Sequence, residues 1–158
     1  MFAVFGDPEV MRYSMSGADP SVEATRARIQ KLMDHQASFG FSLWVVEDRA
    51  TGAILGDCGL KQLEDGPEIE VGYRFARPHL GIGYATEAAM ASVQYGFGRL
   101  ALARIAAVVE PPNIASHRVL EKIGLQYQRP AHYYGRRMSY FAADREIFLE
   151  QHPDLHSA

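Results

Sequence analysis

The sequence predicts a single α/β domain of the α+β kind, in which helices flank a mixed, mostly antiparallel sheet. A chain of 158 residues with 47% hydrophobic content is long enough to bury one core. No internal repeat and no Pro/Gly/Ser-rich linker divides it, so residues 1–158 are predicted to form one domain. Hydrophobic residues recur at helical spacing before residue 40 and follow strand-like patterns from there to residue 75. After residue 75 both patterns occur.

The first long helix is predicted to begin at Asp19-Pro20, because Asp can cap a helix and Pro suits its first turn. Apolar side chains then recur at helical spacing, and Gly40 is expected to end the helix. These apolar side chains are Val22, Ile29, Leu32, Met33 and Phe39.

Three strands are predicted next, as an antiparallel meander. The segments 41–47, 53–61 and 68–75 are β-branched, aromatic or alternating, and turn residues at 48–52 and 63–67 separate them. In the third segment successive side chains point to opposite faces. One face carries Ile69, Val71, Tyr73 and Phe75, and the other carries Glu68, Glu70, Gly72 and Arg74.

The second half of the chain is predicted to alternate between helix and strand. The helices are amphipathic, whereas a short continuous apolar run between two of them indicates a buried strand. The expected elements are helix 84–100, strand 104–109, a helix from Asn113 to Gly124, strands 125–128 and 138–142, and a short helix from Asp144.

Composition excludes several functional classes. The net charge is −3 and no basic stripe follows one face, so no nucleic-acid partner is expected. No run approaches the roughly 18–20 apolar residues of a membrane span, so no membrane partner and a cytoplasmic location are expected. Cys58 is expected to be a small core residue. His79, His117 and His132 lack the spacing of metal ligands, so no metal is expected.

The segment that most clearly indicates a binding site is a strand–turn–helix junction at residues 77–88. Gly81 and Gly83 precede a helix whose first N–H groups have no partner within the helix. These donors lie at the positive end of the helix dipole, and glycines allow a phosphate to approach the backbone. The junction therefore predicts a phosphate or pyrophosphate site, although the glycines alone are also compatible with a tight turn.

Two nucleotide-binding motifs fail at this junction. A P-loop requires Gly-Lys-Ser/Thr where this chain has Tyr84-Ala85-Thr86. A dinucleotide fingerprint requires a third Gly or Ala in place of Thr86 and an acidic residue about 20 positions later, but residues 101–109 contain none. A nucleotide-binding domain is therefore the weakest alternative.

Three segments stand in a fixed order: Glu70-Val71-Gly72-Tyr73, residues 81–88, and residues 113–125. Together they resemble the GNAT acetyltransferase superfamily, in particular its branch of ribosomal-protein N-terminal acetyltransferases. Residues 7–13 resemble an early helix of this branch. Leu80 departs from the family's polar residue at the start of the loop. The chain is also expected to lack the family's usual first strand, which would leave an unpaired sheet edge.

The resemblance implies acetyl-CoA as the co-substrate. The sheet is expected to splay open between the strands at 68–75 and 104–109, with the pantetheine arm in the gap and a backbone N–H near Val71 or Gly72 as the oxyanion donor. The implied coenzyme-binding residues are Tyr73, Phe75, Gly81, Ile82, Gly83, Tyr84, Ala85, Thr86, Asn113 and Ser116.

The resemblance also implies catalytic roles. Glu70 is the first choice for the base that takes the amine proton, and Glu68 is the second. The alternative is that both are solvated charges on an exposed face. Leu120 stands where many family members have an acidic Tyr, so Ser116 is expected to protonate the leaving thiolate. The tyrosines at 133, 134 and 140 are expected to contribute aromatic packing.

The resulting hypothesis is an acetyl-CoA-dependent N-acetyltransferase acting on a primary amine, either a protein N-terminus or a small molecule. Its acceptor pocket is expected between the first helices and a late loop at residues 128–137. The alternative is an inactive module that senses acetyl-CoA. A homodimer is compatible with either hypothesis.

Overall fold

A six-stranded sheet forms the centre of the fold, as seen in a computed structural model that describes residues 1–153. The chain forms α1 (Phe2–Phe5), α2 (Val22–Phe39), β1 (Leu43–Glu47), β2 (Ile54–Gln62), β3 (Ile69–Phe75), α3 (Tyr84–Gly98), β4 (Arg104–Val109), α4 (Ile114–Lys122), β5 (Gln126–Tyr133), β6 (Arg136–Asp144) and α5 (Arg145–Gln151). The predicted α/β fold is therefore confirmed.

The strand order is β1-β2-β3-β4-β6-β5. Only β3 and β4 pair in parallel, and every other neighbouring pair in this sheet is antiparallel. The sheet is thus mixed and mostly antiparallel, as predicted. Within residues 1–153 no strand precedes α1 or pairs with the outer side of β1, which makes β1 an edge strand.

Helix α2 begins two residues later than predicted. Ser21 is the N-cap: its backbone is extended, and its hydroxyl accepts a hydrogen bond from the Ala24 N–H at 3.2 Å. Asp19 is not the cap, because its carboxylate accepts hydrogen bonds from Thr25 and Arg28 instead. Gly40 ends the helix in the left-handed conformation, at φ 78°, as predicted.

The N-terminal segment differs from the early helix that the resemblance implied. Only residues 2–5 of this segment are helical, and residues 8–13 form turns. The carboxylate of Asp7 accepts a hydrogen bond from the Glu9 N–H at 2.9 Å, a local turn that competes with a helix. Val4, Phe5 and Met11 nevertheless form a small buried cluster of their own.

The late segment forms a longer hairpin than predicted. Strands β5 and β6 pair from Gln126↔Ala142 to Tyr133↔Arg136, so most of the predicted loop at 128–137 is strand. Only Tyr134 and Gly135 form the turn, both at positive φ. Cross-strand hydrogen bonds extend this hairpin although the residues of β5 are mostly polar and exposed, which is why the hydrophobic pattern missed its length.

The main core lies between the sheet and helices α3, α4 and α5. Leu60 and Val71 from the sheet and Val93 and Phe97 from α3 belong to one buried cluster, and Cys58 lies in it as expected. A second, smaller cluster around Tyr140 lies on the sheet beside β4 and β6. Among residues 1–153, no helix is long and apolar enough to cross a bilayer.

Candidate active site

The parallel strands β3 and β4 form a fork. They pair only at Glu70↔Ala106, whereas β2 and β3 pair continuously from Gly56↔Phe75 to Gln62↔Ile69. Beyond Glu70, β3 continues to Phe75 without a ladder partner in β4. The sheet therefore separates between these strands at the place where the resemblance implied a splay.

Tyr73 and Ser116 meet across this fork. The Tyr73 hydroxyl donates a hydrogen bond to the Ser116 carbonyl oxygen at 3.3 Å, which connects β3 to the first turn of α4. Burial raises the pKa of Tyr73 to about 12, so the phenol stays protonated near neutral pH. Asn113 caps α4 as predicted, because its side-chain oxygen accepts a hydrogen bond from the Ser116 N–H at 3.3 Å.

The N-terminus of α3 is open. Gly81 and Gly83 have φ values of 74° and 103°, which only glycine adopts easily, and a Cβ added to either would meet no atom within 4 Å. Gly83 is the N-cap, and no side chain among residues 1–153 caps the helix. Ile82 is exposed, and the residues from Tyr84 to Thr86 are partly exposed. The first-turn N–H groups are thus free of a side-chain cap at an accessible surface.

Two predicted coenzyme-binding side chains have other contacts. The Tyr84 hydroxyl donates a hydrogen bond to Asp48 at 3.3 Å, in the turn between β1 and β2, and this carboxylate raises the pKa of Tyr84. Phe75 is buried, with 3% of its surface exposed. Any contact of Phe75 with a pantetheine arm would therefore use its main-chain atoms, and the Tyr84 hydroxyl is already engaged by Asp48.

Glu70 stands at the vertex of the fork and is 5% exposed. Its Oε1 atom lies 3.1 Å from the Lys61 Nζ and accepts a hydrogen bond from the Tyr134 hydroxyl at 2.8 Å. The alternative that Glu70 is a solvated charge on an exposed face is therefore wrong. Burial is the largest single influence on the pKa of Lys61 and lowers it, but the interactions with Glu70 and Tyr134 together outweigh burial and raise the pKa.

Glu68 has two further tyrosine partners. The Tyr133 hydroxyl donates a hydrogen bond to its Oε2 atom at 2.9 Å, and the Tyr140 hydroxyl donates one to its Oε1 atom. Burial and the carboxylate raise the pKa of both phenols. The Tyr133 and Tyr140 rings stack on each other, as expected, and the β5–β6 hairpin also brings their hydroxyls to the acidic face of β3.

Helix α4 offers few side chains for chemistry. Leu120 is 1% exposed and belongs to the core. The main-chain N–H and carbonyl of Ser116 form hydrogen bonds, and its hydroxyl forms none within the described residues. His117 packs against the Phe141 ring. No group of three His, Cys, Asp or Glu residues that could hold a metal ion was found among residues 1–153.

Comparisons with known proteins agree with this geometry. Residues 1–126 match the family model of the acetyltransferase (GNAT) domain. The uncharacterized protein YkkB of Bacillus subtilis (strain 168) is 42% identical over 128 residues, which cover 80% of this chain and 73% of that protein. The crystal structure of a GNAT-family acetyltransferase from Bacillus anthracis superposes with a TM-score of 0.79 at 27% identity, covering 92% of this chain and 87% of that one.

A more distant structure shows the same fold. The spermidine N-acetyltransferase of Vibrio cholerae, solved in complex with CoA and spermine, superposes with a TM-score of 0.76 at 19% identity, covering 94% of this chain and 89% of that one. The family model, the curated relatives and the solved structures agree. The chain belongs to the GNAT acetyltransferase family and is an N-acetyltransferase by class.

Proposed function

We propose that this chain transfers the acetyl group of acetyl-CoA to a primary amine by direct attack, without a covalent enzyme intermediate. The observation that carries the proposal is the fork, where β3 and β4 separate at the buried carboxylate of Glu70. One arm of the fork leads directly to the uncapped N-terminus of α3. The buried carboxylate suits an amine acceptor, and the N–H groups without a side-chain cap at the start of α3 suit a diphosphate-bearing donor. The proposed coenzyme groove runs between them.

In this proposal the coenzyme lies along the groove. Its diphosphate accepts hydrogen bonds from main-chain N–H groups between Gly81 and Thr86, which lie at the positive end of the α3 dipole. The pantetheine arm follows β3 from Phe75 towards Tyr73, and Asn113 and Ser116 contact it from α4. The CoA bound to the V. cholerae spermidine N-acetyltransferase, which shares the fold, supports this choice of co-substrate. An acetyl-CoA-dependent role fits a cytoplasmic location.

The chemical step needs three groups from the chain. Most amines are protonated near pH 7, so Glu70 takes one proton from the acceptor and leaves a lone pair to attack the thioester carbonyl. A main-chain N–H of Val71 or Gly72 stabilises the oxyanion. The C–N bond forms and the C–S bond breaks. The Ser116 hydroxyl gives its proton to the departing thiolate and regains one from the acceptor nitrogen, which leaves a neutral amide.

Thiol release from acetyl-CoA in the presence of different amines tests the proposal. The panel contains a polyamine, an aminoglycoside, a free amino acid, and peptides with Ser or Ala at a free N-terminus. Acetylation of the peptides alone would indicate the acceptor of the ribosomal-protein branch. Tight acetyl-CoA binding without thiol release for any amine would favour the sensor module instead.

Glu70→Gln isolates the proposed base. Removing a general base costs about 100-fold in kcat, and acetyl-CoA affinity should stay unchanged because the carboxylate does not hold the coenzyme. Glu47→Gln is the matched control, since Glu47 is an exposed carboxylate at the end of the edge strand β1. Equal kcat values for the two variants would contradict the role of Glu70.

A further inference from the structure

We propose that Tyr134 and Lys61 are positioning residues that hold one oxygen of the Glu70 carboxylate and leave the other free to take the acceptor's proton. This inference rests on the proposed function and assigns a role to two residues outside the resemblance. Both contact the same atom: Oε1 of Glu70 accepts from the Tyr134 hydroxyl at 2.8 Å and lies 3.1 Å from the Lys61 Nζ.

The direction of the Tyr134 hydroxyl is fixed by its neighbours. A hydroxyl has one proton to donate and two lone pairs to accept with. Both lone pairs are engaged, because the oxygen accepts from the main-chain N–H of Glu64 at 2.9 Å and from the Lys61 Nζ at 3.4 Å. The proton of Tyr134 must therefore point to Glu70. Two separate donors keep this phenol from turning away.

The backbone around Tyr134 is constrained as well. The Tyr134 N–H donates to the Glu64 Oε1 atom at 2.5 Å while the Glu64 N–H donates to the Tyr134 hydroxyl, so the two residues bind each other reciprocally. Tyr134, Glu64 and Asp65 all have left-handed φ values, at 53°, 49° and 55°. Strained non-glycine residues persist where the surroundings hold them, and they cluster at functional sites. Here they lock the tip of the β5–β6 hairpin to the turn between β2 and β3.

The consequence is an asymmetric carboxylate. Oε1 faces the charged and polar groups of Lys61 and Tyr134, while Oε2 accepts no hydrogen bond within the described residues. The neighbouring Glu68 is occupied by the hydroxyls of Tyr133 and Tyr140. Oε2 is therefore the atom to which an acceptor amine at the fork can transfer its proton.

Tyr134→Phe and Lys61→Met test the inference. Each removes one partner of Oε1, so the carboxylate turns more freely and presents Oε2 to the acceptor amine less often. We expect kcat at pH 7 to fall about 10-fold in either variant and the KM for acetyl-CoA to stay the same.

Tyr127→Phe is the matched control, because Tyr127 lies on the same hairpin but is exposed and packs on Phe141. It should leave kcat unchanged. An unchanged kcat in Tyr134→Phe and Lys61→Met, together with loss of transfer in Glu70→Gln, would overturn the positioning role and leave the proposed function standing. Full transfer by Glu70→Gln would instead overturn the role of Glu70, and the positioning role with it.

Discussion

Asp57 and Arg74 form an ion pair inside the fold, and the Asp57 residue is 1% exposed. The Arg74 Nε atom donates to Oδ1 at 2.9 Å, and the guanidinium also packs over the Phe5 ring. Arg74→Met would leave a buried carboxylate without its cation. We expect the free energy of unfolding at pH 7, measured by urea denaturation, to fall by about 3–5 kcal/mol.

The same pair predicts a dependence on pH. Burial raises the pKa of Asp57, and Arg74 opposes that rise. A carboxyl whose pKa is higher in the folded than in the unfolded state favours folding when protonated, so its contribution is lost as the pH rises. Arg74→Met removes the opposing cation and should lose less stability at pH 5 than at pH 8. The double variant Asp57→Asn/Arg74→Met is the control, and equal losses at both pH values in the single variant would contradict the argument.

Sequence reasoning at the residue scale named Glu70 and Ser116 as catalytic candidates, but it did not bring Lys61 or Tyr134 to the Glu70 carboxylate. Lys61 was missed by one position, since the predicted turn at 63–67 would pair residue 61 with residue 69, whereas the observed register pairs Lys61 with Glu70. Tyr134 could not be placed from the sequence, because it lies 64 residues from Glu70 and reaches it only through a hairpin whose length the sequence pattern did not reveal. Partners brought together by tertiary structure have no local signal.

At the scale of elements, the loop before α3 is the sharpest test of coenzyme binding. Gly83→Ala and Gly83→Glu impose the same backbone strain, because both place a Cβ at φ 103°, but only Glu adds a negative charge at the helix N-terminus. We expect Gly83→Glu to weaken CoA binding about 100-fold, measured by calorimetry, and Gly83→Ala to weaken it much less.

Gly40→Glu provides the control for strain and charge away from the loop. Gly40 has φ 78° at the end of α2, and a Cβ there would also meet no atom within 4 Å. This variant should lose stability but bind CoA normally. If Gly83→Glu binds CoA as tightly as Gly40→Glu does, the diphosphate does not lie at the start of α3.

Local chemistry explains which elements the sequence predicted well. The bounds of β4 at 104–109, the Asn113 cap and the Gly40 terminus each depend on residues close in sequence, and the structure has all three. The start of α2 was misplaced because Asp19 and Ser21 are both good caps, and only the tertiary ion pair with Arg28 removes Asp19 from that role.

For the whole molecule, the fork divides the sheet into two parts, β1–β3 and β4–β6, that share one ladder position at Glu70↔Ala106. A ligand that fills the fork would contact both parts and the start of α3. Ligand binding to the folded state alone adds about 2.7 kcal/mol at 100 times Kd, so CoA should raise the Tm by about 5–10 °C. Calorimetry with and without CoA measures this shift.

Hydrogen exchange locates the stabilisation within the molecule. With CoA bound, exchange should slow at residues 71–75, at residues 107–109 and in the first turn of α3, because these main-chain groups border the fork. ATP is the control ligand, since it carries phosphates but no pantetheine arm and should protect α3 without protecting both strands. Protection by CoA confined to α3, or an equal Tm shift with ATP, would show that the two parts of the sheet are not bridged by the coenzyme.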